Sequence, residues 1–271
     1  MCRFRATRLH RKALLILLCL PVVFLFCSCA TIEKRPVENP LSEQEVAAVI
    51  ATMHEQERLV TTLVVGGKLI IRNWYWEAES DVLLVGTKEP FRVKVEIAHT
   101  WGQPILHILV HEGRLQVLSF GEQKLFVSPF TPQALSRFFP GDLDPLLIWT
   151  VLRGYPVLRP HDRALSEKAQ QVRVLDGEER DTEVIDLVPG THLPRRVSFP
   201  ARQINLEFSE FREQDGIFHA AKVNINPMNG GKKVTLHIDR MIPNRSIPAD
   251  VFTLRVPRAF QIQRLDEVQP E

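Results

Sequence analysis

Apolar and polar residues alternate along much of this chain, and this two-residue period narrows the choice of folds more than any other feature. In the stretch FRVKVEI, the apolar residues Phe91, Val93, Val95 and Ile97 fall on one face of a strand and the charged residues on the other. ILHILV, LQVLSF and LFVSPF follow closely, and a later series reads QINLEFSEF, IFHAAKVNINP and KKVTLHIDRM. Asp-Gly and Asn-Gly pairs in the later turns favour hairpins. The pattern predicts about ten or eleven antiparallel strands.

A helix is predicted ahead of the strands, from Glu43 to Arg58. Ser42, followed three residues later by Glu45, forms a capping box at its start. Apolar residues then recur at helical spacing, which indicates a stripe packed against a sheet. The stripe consists of Val46, Val49, Ile50 and Met53.

The stretch DLDPLLIWTVLRG interrupts the alternation and predicts a second helix. Asp142 or Asp144 can cap its start, Pro145 suits the first turn, and Gly154 can end it. Its apolar residues leave almost no polar face; they are Leu143, Leu146, Leu147, Ile148, Trp149, Val151 and Leu152. Such a helix is buried or faces another apolar body, and core burial is the favoured interpretation. The expected fold class is α+β, a strongly curved antiparallel sheet with helices on its concave side.

The first 28 residues have the pattern of a bacterial export signal. MCRFRATRLHRK contains five cations and no acid, and an apolar stretch follows it. That stretch, from Ala13 to Cys27, is shorter than the roughly 20 residues needed to span a bilayer, and Pro21 interrupts it. An uncleaved anchor helix is the alternative.

All four cysteines lie within the first 29 residues, at positions 2, 19, 27 and 29. The sequence LFCSC resembles a lipobox, in which apolar and small residues precede a cysteine that becomes lipidated. Ser28 fits that pattern, whereas Phe26 stands where leucine is usual. The resemblance implies that Cys29 is the first residue of the mature protein and anchors it to a membrane. Disulfides are then excluded, which suits export to an oxidising compartment.

These features divide the chain into a signal peptide (1–28), a lipidated tether (29–42), one domain (43–258) and a C-terminal tail (259–271). The whole chain has 34 cations and 32 acids, but removal of the signal leaves 29 cations and 32 acids. The basic character therefore belongs to the signal, and nucleic acid is not an expected partner.

No pattern in the sequence predicts catalysis, a metal site or a cofactor. His107 and His111 are four residues apart, but on a strand this spacing does not bring them together as it would on a helix. His161 stands alone in a loop. There is no glycine-rich phosphate loop and no GxSxG elbow. A pair of catalytic carboxylates has no sequence signature, so a hydrolase stays as a third class, but the expected protein is not an enzyme.

The cluster NWYWEAES places Trp74, Tyr75 and Trp76 side by side next to a strand. Such a cluster can stack on a sugar or lie at a membrane interface. Ordinary packing at the end of a sheet is the favoured interpretation.

The stretch VTLHIDRMIPNRSIPADVFTLRVP, together with the order of elements before it, resembles the C-terminal part of LolA/LolB-like proteins of lipoprotein localisation. The resemblance implies an open, half-closed β-barrel with helices as a lid and a cavity for acyl chains. Phe91, Val93, Val95 and Ile97 would then line the cavity. The residues of the apolar helix that would close it are Leu143, Leu146, Leu147 and Val151.

The expected function is that of a lipid-anchored lipoprotein that binds acyl chains or lipoproteins, with a part in envelope biogenesis. Ala30 follows the lipidated cysteine, and by the family's sorting rule it implies the periplasmic face of the bacterial outer membrane. The alternative is a non-enzymatic scaffold lipoprotein of an envelope complex, whose core is filled by its own side chains.

Overall fold

The computed structural model describes residues 39–139 and 141–265. The signal peptide, Cys29, the tether up to residue 38, and residues 266–271 lie outside this range, so those predictions stay predictions. Within it are three α-helices: α1 (Glu43–Arg58), α2 (Pro132–Ser136) and α3 (Pro145–Arg153). Short 3-10 turns occupy Pro200–Arg202 and Ala249–Val251. None of the helices described is long and apolar enough to cross a membrane.

Fourteen strands of the described chain form one sheet. Their bounds are β1 (Thr62–Arg72), β2 (Glu77–Thr87), β3 (Arg92–Ala98), β4 (Pro104–His111), β5 (Arg114–Ser119), β6 (Lys124–Pro129), β7 (Arg163–Leu165), β8 (Gln171–Leu175), β9 (Asp181–Leu187), β10 (Pro194–Phe199), β11 (Ile204–Gln214), β12 (Ile217–Pro227), β13 (Lys233–Pro243) and β14 (Gln261–Arg264). The sequence underestimated this number, because the short strands β7 to β10 and β14 have weak patterns.

The sheet consists of two meanders joined along a single seam. Its strand order is β14-β6-β5-β4-β3-β2-β1-β13-β12-β11-β10-β9-β8-β7. The pairing of β1 with β13 therefore connects the meander β1–β6 to the meander β7–β13. All neighbours are antiparallel except β14, which runs parallel to β6. The sheet is curved and not closed, and the predicted α+β fold class is confirmed.

Local sequence signals account for both long helices. In α1, Ser42 and Glu45 form the predicted reciprocal capping box, and the helix has the predicted bounds. In α3, the Asp144 carboxylate accepts a hydrogen bond from the backbone of Leu147 at 2.9 Å. Gly154 ends α3 with φ +62°, a left-handed conformation that glycine adopts without steric cost. The predicted burial of α3 is confirmed, because Leu147 to Arg153 are all buried.

A C-terminal strap crosses the outer face of the sheet after β13. Phe252 is buried there against Val85 and Leu109, apart from the main core. The guanidinium of Arg92 lies 4.9 Å from the centre of its ring. The chain then enters β14, inside the segment that the sequence analysis treats as a tail. The domain therefore extends to at least Arg264.

The hairpin between β1 and β2 contradicts one prediction. Trp74 and Tyr75 are 91% and 94% exposed, so the expectation that this aromatic cluster packs at the end of the sheet was wrong. The Asn73 side chain accepts hydrogen bonds from the backbones of Tyr75 and Trp76, which shape the turn and direct the rings outward.

Candidate functional site

An apolar cavity of about 60 Å³ lies between the sheet and the helices. Strands β1 to β4, β12 and β13 form one wall, and residues of α2 and α3 with Phe139 and Leu143 form the other. Every lining residue is apolar; they are Leu69, Val82, Leu84, Val93, Val95, Ile108, Val110, Leu135, Phe139, Leu143, Ile148, Val151, Leu152, Ile225 and Leu236. The two-residue period of the strands places these side chains on a common face.

The structure brings half of the predicted site residues to this cavity. Val93 and Val95 of β3 line it, as do Leu143 and Val151 on the helical side. The other four belong to the same core but not to the cavity wall; they are Phe91, Ile97, Leu146 and Leu147. The charged residues that alternate with the β3 row face the other way, and Lys94 pairs there with Glu96 at 2.9 Å.

The volume of the cavity limits what it can hold in this conformation. An engineered protein cavity of about 150 Å³ is enough for one benzene molecule, and this cavity has less than half that volume. An acyl chain therefore fits only if part of the helical wall moves away from the sheet.

Polar contacts hold both ends of α3 in place. At its start, Asp144 accepts hydrogen bonds from Arg159 at 2.7 Å and from Arg202 at 3.2 Å. At its end, the Arg153 guanidinium donates to the backbone oxygens of Gln56 at 2.5 Å and Phe218 at 3.1 Å. These contacts tie α3 to α1 and to β12.

Arg153 is a cation buried completely within the core. Burial lowers the pKa of its guanidinium to about 10, and the same effect raises the pKa of the neighbouring Tyr155 phenol to about 12. The guanidinium lies 4.7 Å from the centre of the Tyr155 ring, and a cation over an aromatic face is stabilised. Without this ring and the two carbonyl oxygens, a buried guanidinium would be costly.

Helix α2 is held far more weakly than helix α3. It has only five residues, and Leu135 is its one buried side chain. Phe138 and Phe139 follow it and pack only partly against the core. Because α2 and Phe139 form one side of the cavity, they are the part of the wall that can move at least cost.

The sequence matches no protein-family model and no curated protein. Among solved structures, an outer-membrane lipoprotein-sorting protein domain from Vibrio parahaemolyticus has a TM-score of 0.51 at 10% identity, covering 78% of this chain and 97% of that one. A LolA superfamily protein from Nitrosomonas europaea has a TM-score of 0.50 at 13% identity, covering 77% and 97%. This chain has the LolA-like fold.

A third solved structure that is similar to this chain is that of a DUF1329 family protein from Desulfovibrio piger. It has a TM-score of 0.50 at 12% identity and covers 77% of this chain and 97% of that one. At these identities the likeness establishes the fold alone.

Besides Arg153, a second buried group in this LolA-like domain was missed by the sequence analysis. Glu183 of β9 is fully buried, and its Oε1 accepts a hydrogen bond from the backbone N–H of Arg159 at 2.8 Å. Its Oε2 has no hydrogen-bond partner in the part of the chain that the structure describes. Burial raises the pKa of Glu183 to about 7, and the charges of Asp144 and Glu57 add to the effect.

The sequence held a signal for each of the missed residues. In DTEVIDL, Glu183 shares its face with Ile185 and Leu187, so an acid stands in an apolar register. Arg153 ends a helix that is otherwise mostly apolar, where a cation ordinarily faces solvent and complements the helix dipole.

Residues 39–139 and 141–265 contain no group of three or more His, Cys, Asp or Glu side chains that could hold a metal ion.

Proposed function

We propose that this protein binds the acyl chains of lipids or lipoproteins between its curved sheet and its helices. The observation that supports this most directly is a cavity with only apolar side chains on both walls. Burying acyl methylene groups there contributes about 0.8 kcal/mol for each CH₂, and no polar group of the wall would lose a hydrogen bond.

The route of entry follows from the unequal attachment of the helices. Displacement of α2 and Phe139 opens the cavity at the cost of few buried contacts. Displacement of α3 would expose the Arg153 guanidinium and break its hydrogen bonds to Gln56 and Phe218. In the proposed mechanism, α3 stays as the floor of the binding site while α2 moves.

The proposal places this binding domain at the bacterial envelope. Cys29 would carry the lipid, the tether would connect it to the domain, and Ala30 would direct the protein to the periplasmic face of the outer membrane. The solved structures with this fold include a domain named for outer-membrane lipoprotein sorting, which supports envelope biogenesis as the setting.

Replacing Val95 by aspartate is expected to abolish acyl-chain binding. Val95 pairs with Leu84 and Ile108, and all three side chains line the cavity. A carboxylate without a partner in apolar surroundings costs several kcal/mol, so binding should fall by roughly a hundredfold or more. The measurement is photo-crosslinking of the full-length protein in membranes that contain a lipid with a photoreactive acyl chain. Labelled peptides from β2 to β4 and α2 are then quantified by mass spectrometry.

Leu83→Asp is the matched control for this experiment. Leu83 lies on β2, pairs with Glu96 and points out of the other face, where it is exposed. The same charge is therefore introduced next to the cavity wall but outside it, and labelling should persist. Equal labelling of both variants, with melting temperatures close to that of the parent, would rule out the cavity as the binding site.

A scaffold function is the second candidate, and the small volume of the cavity favours it. If the cavity stays at about 60 Å³, no acyl chain enters it, and the domain only presents its surface to other envelope proteins. The crosslinking experiment separates the two candidates, because a scaffold gives no acyl label on peptides of the cavity wall.

A further inference from the structure

A polar cleft of about 490 Å³ lies beside the apolar cavity. It is bounded by the end of α2, by residues 141–142, by the 3-10 turn before β11 and by the β12–β13 turn. Its polar side chains are those of Ser136, Asp142, Arg202, Gln203, Asn229 and Lys232. This lining contrasts with that of the cavity, where every residue is apolar.

The cleft and the cavity share the α2 side of their walls. Leu135 of α2 lines the cavity, and the next residue, Ser136, lines the cleft. In the same way, Asp142 lines the cleft and Leu143 lines the cavity. Displacement of α2, which is the movement proposed above for ligand entry, would therefore open the two spaces to each other.

The other walls of the cleft are firmly connected. The backbone N–H of Met228 donates to the oxygen of Gln203 at 2.7 Å, which joins the β12–β13 turn to the 3-10 turn. Arg202 of the 3-10 turn donates to Asp142 at 2.9 Å, so the residues before α3 belong to the same frame. The cleft can thus keep its shape while α2 moves.

Cations outnumber acids in the cleft. Arg202 and Lys232 line it together with a single acid, Asp142, and the ion pair of Arg202 with Asp142 leaves the charge of Lys232 unbalanced. In the part of the chain that the structure describes, no acid pairs with Lys232. Its ammonium lies 6.0 Å from the centre of the Trp76 ring, the outer limit of a cation–π contact. Lys232 is therefore available to an anion.

We propose that the cleft receives the phosphate of a phospholipid whose acyl chain occupies the cavity, with Lys232 as the ion-pair partner of that phosphate. The inference rests on the proposed function and narrows its ligand class to lipids with an anionic phosphate headgroup. An apolar cavity and a cationic cleft beside one movable wall match the two ends of such a lipid. The side chains of Ser136 and Asn229 supply further hydrogen-bond donors for the phosphate oxygens.

The test compares two lipids that differ only in the headgroup. The full-length protein is placed in neutral micelles of dodecyl maltoside that contain a phosphatidylglycerol or a diacylglycerol, each with the same photoreactive acyl chain. Crosslinked peptides from β2 to β4 and α2 are quantified by mass spectrometry. The variant is Lys232→Gln. Lys233→Gln is its matched control, because Lys233 is the next residue, is also exposed, and does not line the cleft.

We expect phosphatidylglycerol to label the cavity wall about fivefold more than diacylglycerol, the effect of one partly exposed ion pair. Lys232→Gln should label equally with both lipids, whereas Lys233→Gln should keep the preference of the parent. Inorganic phosphate, added at the concentration of the lipid phosphate, should leave this preference unchanged, because only the lipid's phosphate is tethered to a chain in the cavity.

Four results would overturn the inference. Equal labelling of the parent by the two lipids would leave acyl binding intact and remove only the role of the cleft. Loss of the preference in both lysine variants would make it a general effect of surface charge. Loss of the preference on adding inorganic phosphate would make the cleft a site for the free anion. Labelling by neither lipid would refute the proposed function and this inference with it.

Discussion

Replacing Gly67 by alanine is expected to destabilise the domain by about 4 kcal/mol or more, which is a large part of the 5–15 kcal/mol typical of a folded protein. A β-carbon at this position would lie 1.9 Å from the backbone oxygen of His237 and 3.3 Å from the backbone nitrogen of Asp239. Both atoms belong to β13, so no side-chain rotation can relieve the overlap. The register between β1 and β13 shifts between Gly66 and Gly67, and glycine at such a site permits close approach of two backbones.

The effect should be global because of where Gly67 lies. The β1–β13 seam alone joins the two meanders in the strand order of the described sheet. Denaturant unfolding of the purified domain, followed by circular dichroism, measures the change in unfolding free energy.

Gly66→Ala is the control for this prediction. A β-carbon on Gly66 would meet nothing within 4 Å, so the change should be within about 0.5 kcal/mol of the parent. If the two variants unfold at the same denaturant concentration, the bulge is not where the structure places it.

Replacing Glu183 by glutamine is expected to raise the unfolding free energy of the protein at pH 8. The change in unfolding free energy should be about 3 kcal/mol more favourable at pH 8 than at pH 4.5. Burial raises the pKa of Glu183 from 4.5 to about 7 in the folded state, and each pKa unit corresponds to about 1.36 kcal/mol. A raised carboxyl pKa means that the folded state holds the proton more tightly than the unfolded chain. In the parent protein, the stabilisation that comes from protonated Glu183 is therefore complete below pH 4.5 and is lost as the pH rises through about 7. Glutamine keeps the hydrogen-bond acceptor for the Arg159 amide without the charge.

The measurement is the unfolding free energy of the parent and of the variant at several pH values between 4.5 and 8. Burial also lowers the pKa of His107 and of His219, which reduces stability as the pH falls below 6.5. Both histidines are present in the two proteins, so the difference between the two curves isolates Glu183. The control Glu213→Gln removes an exposed acid and should follow the parent at every pH. A difference that does not change with pH would contradict the buried, protonated state of Glu183.

The residues around Glu183 connect this prediction to the proposed function. Its carboxyl group faces the segment after α3 through Arg159, the start of α3 through Asp144, and α1 through Glu57. Loss of its proton leaves a charge in the buried core, where burial is the main cost, Arg159 attracts the charge, and Asp144 and Glu57 repel it. This cost acts on the elements that cover the sheet. An increase in acyl labelling of the parent, but not of Glu183→Gln, between pH 6 and pH 8 would link the two.

The sequence by itself was sufficient for the helix caps and for the alternation of the long strands, which depend on near neighbours along the chain. The capping box at Ser42 and the caps of α3 each involve residues within about four positions. The sequence therefore predicted α1 with its bounds and Gly154 as the end of α3, and it left the start of α3 between Asp142 and Asp144. The orientation of the β3 row was predicted for the same reason, because successive side chains on a strand alternate between its faces. The C-terminal resemblance also indicated the fold correctly, although no family model matches.

Only the tertiary structure decided what distant segments do to one another. The β1–β13 seam joins segments that lie near opposite ends of the domain's sequence. No local pattern specifies that pairing or its bulge at Gly67. Whether a residue such as Arg153 or Glu183 is buried depends on elements far away in the chain, as does the volume left between Val95 and α3. The exposure of Trp74 has the same origin, since a ring packs only if another segment reaches it. Local order follows from the backbone geometry of neighbouring residues, whereas burial depends on the whole arrangement of the chain.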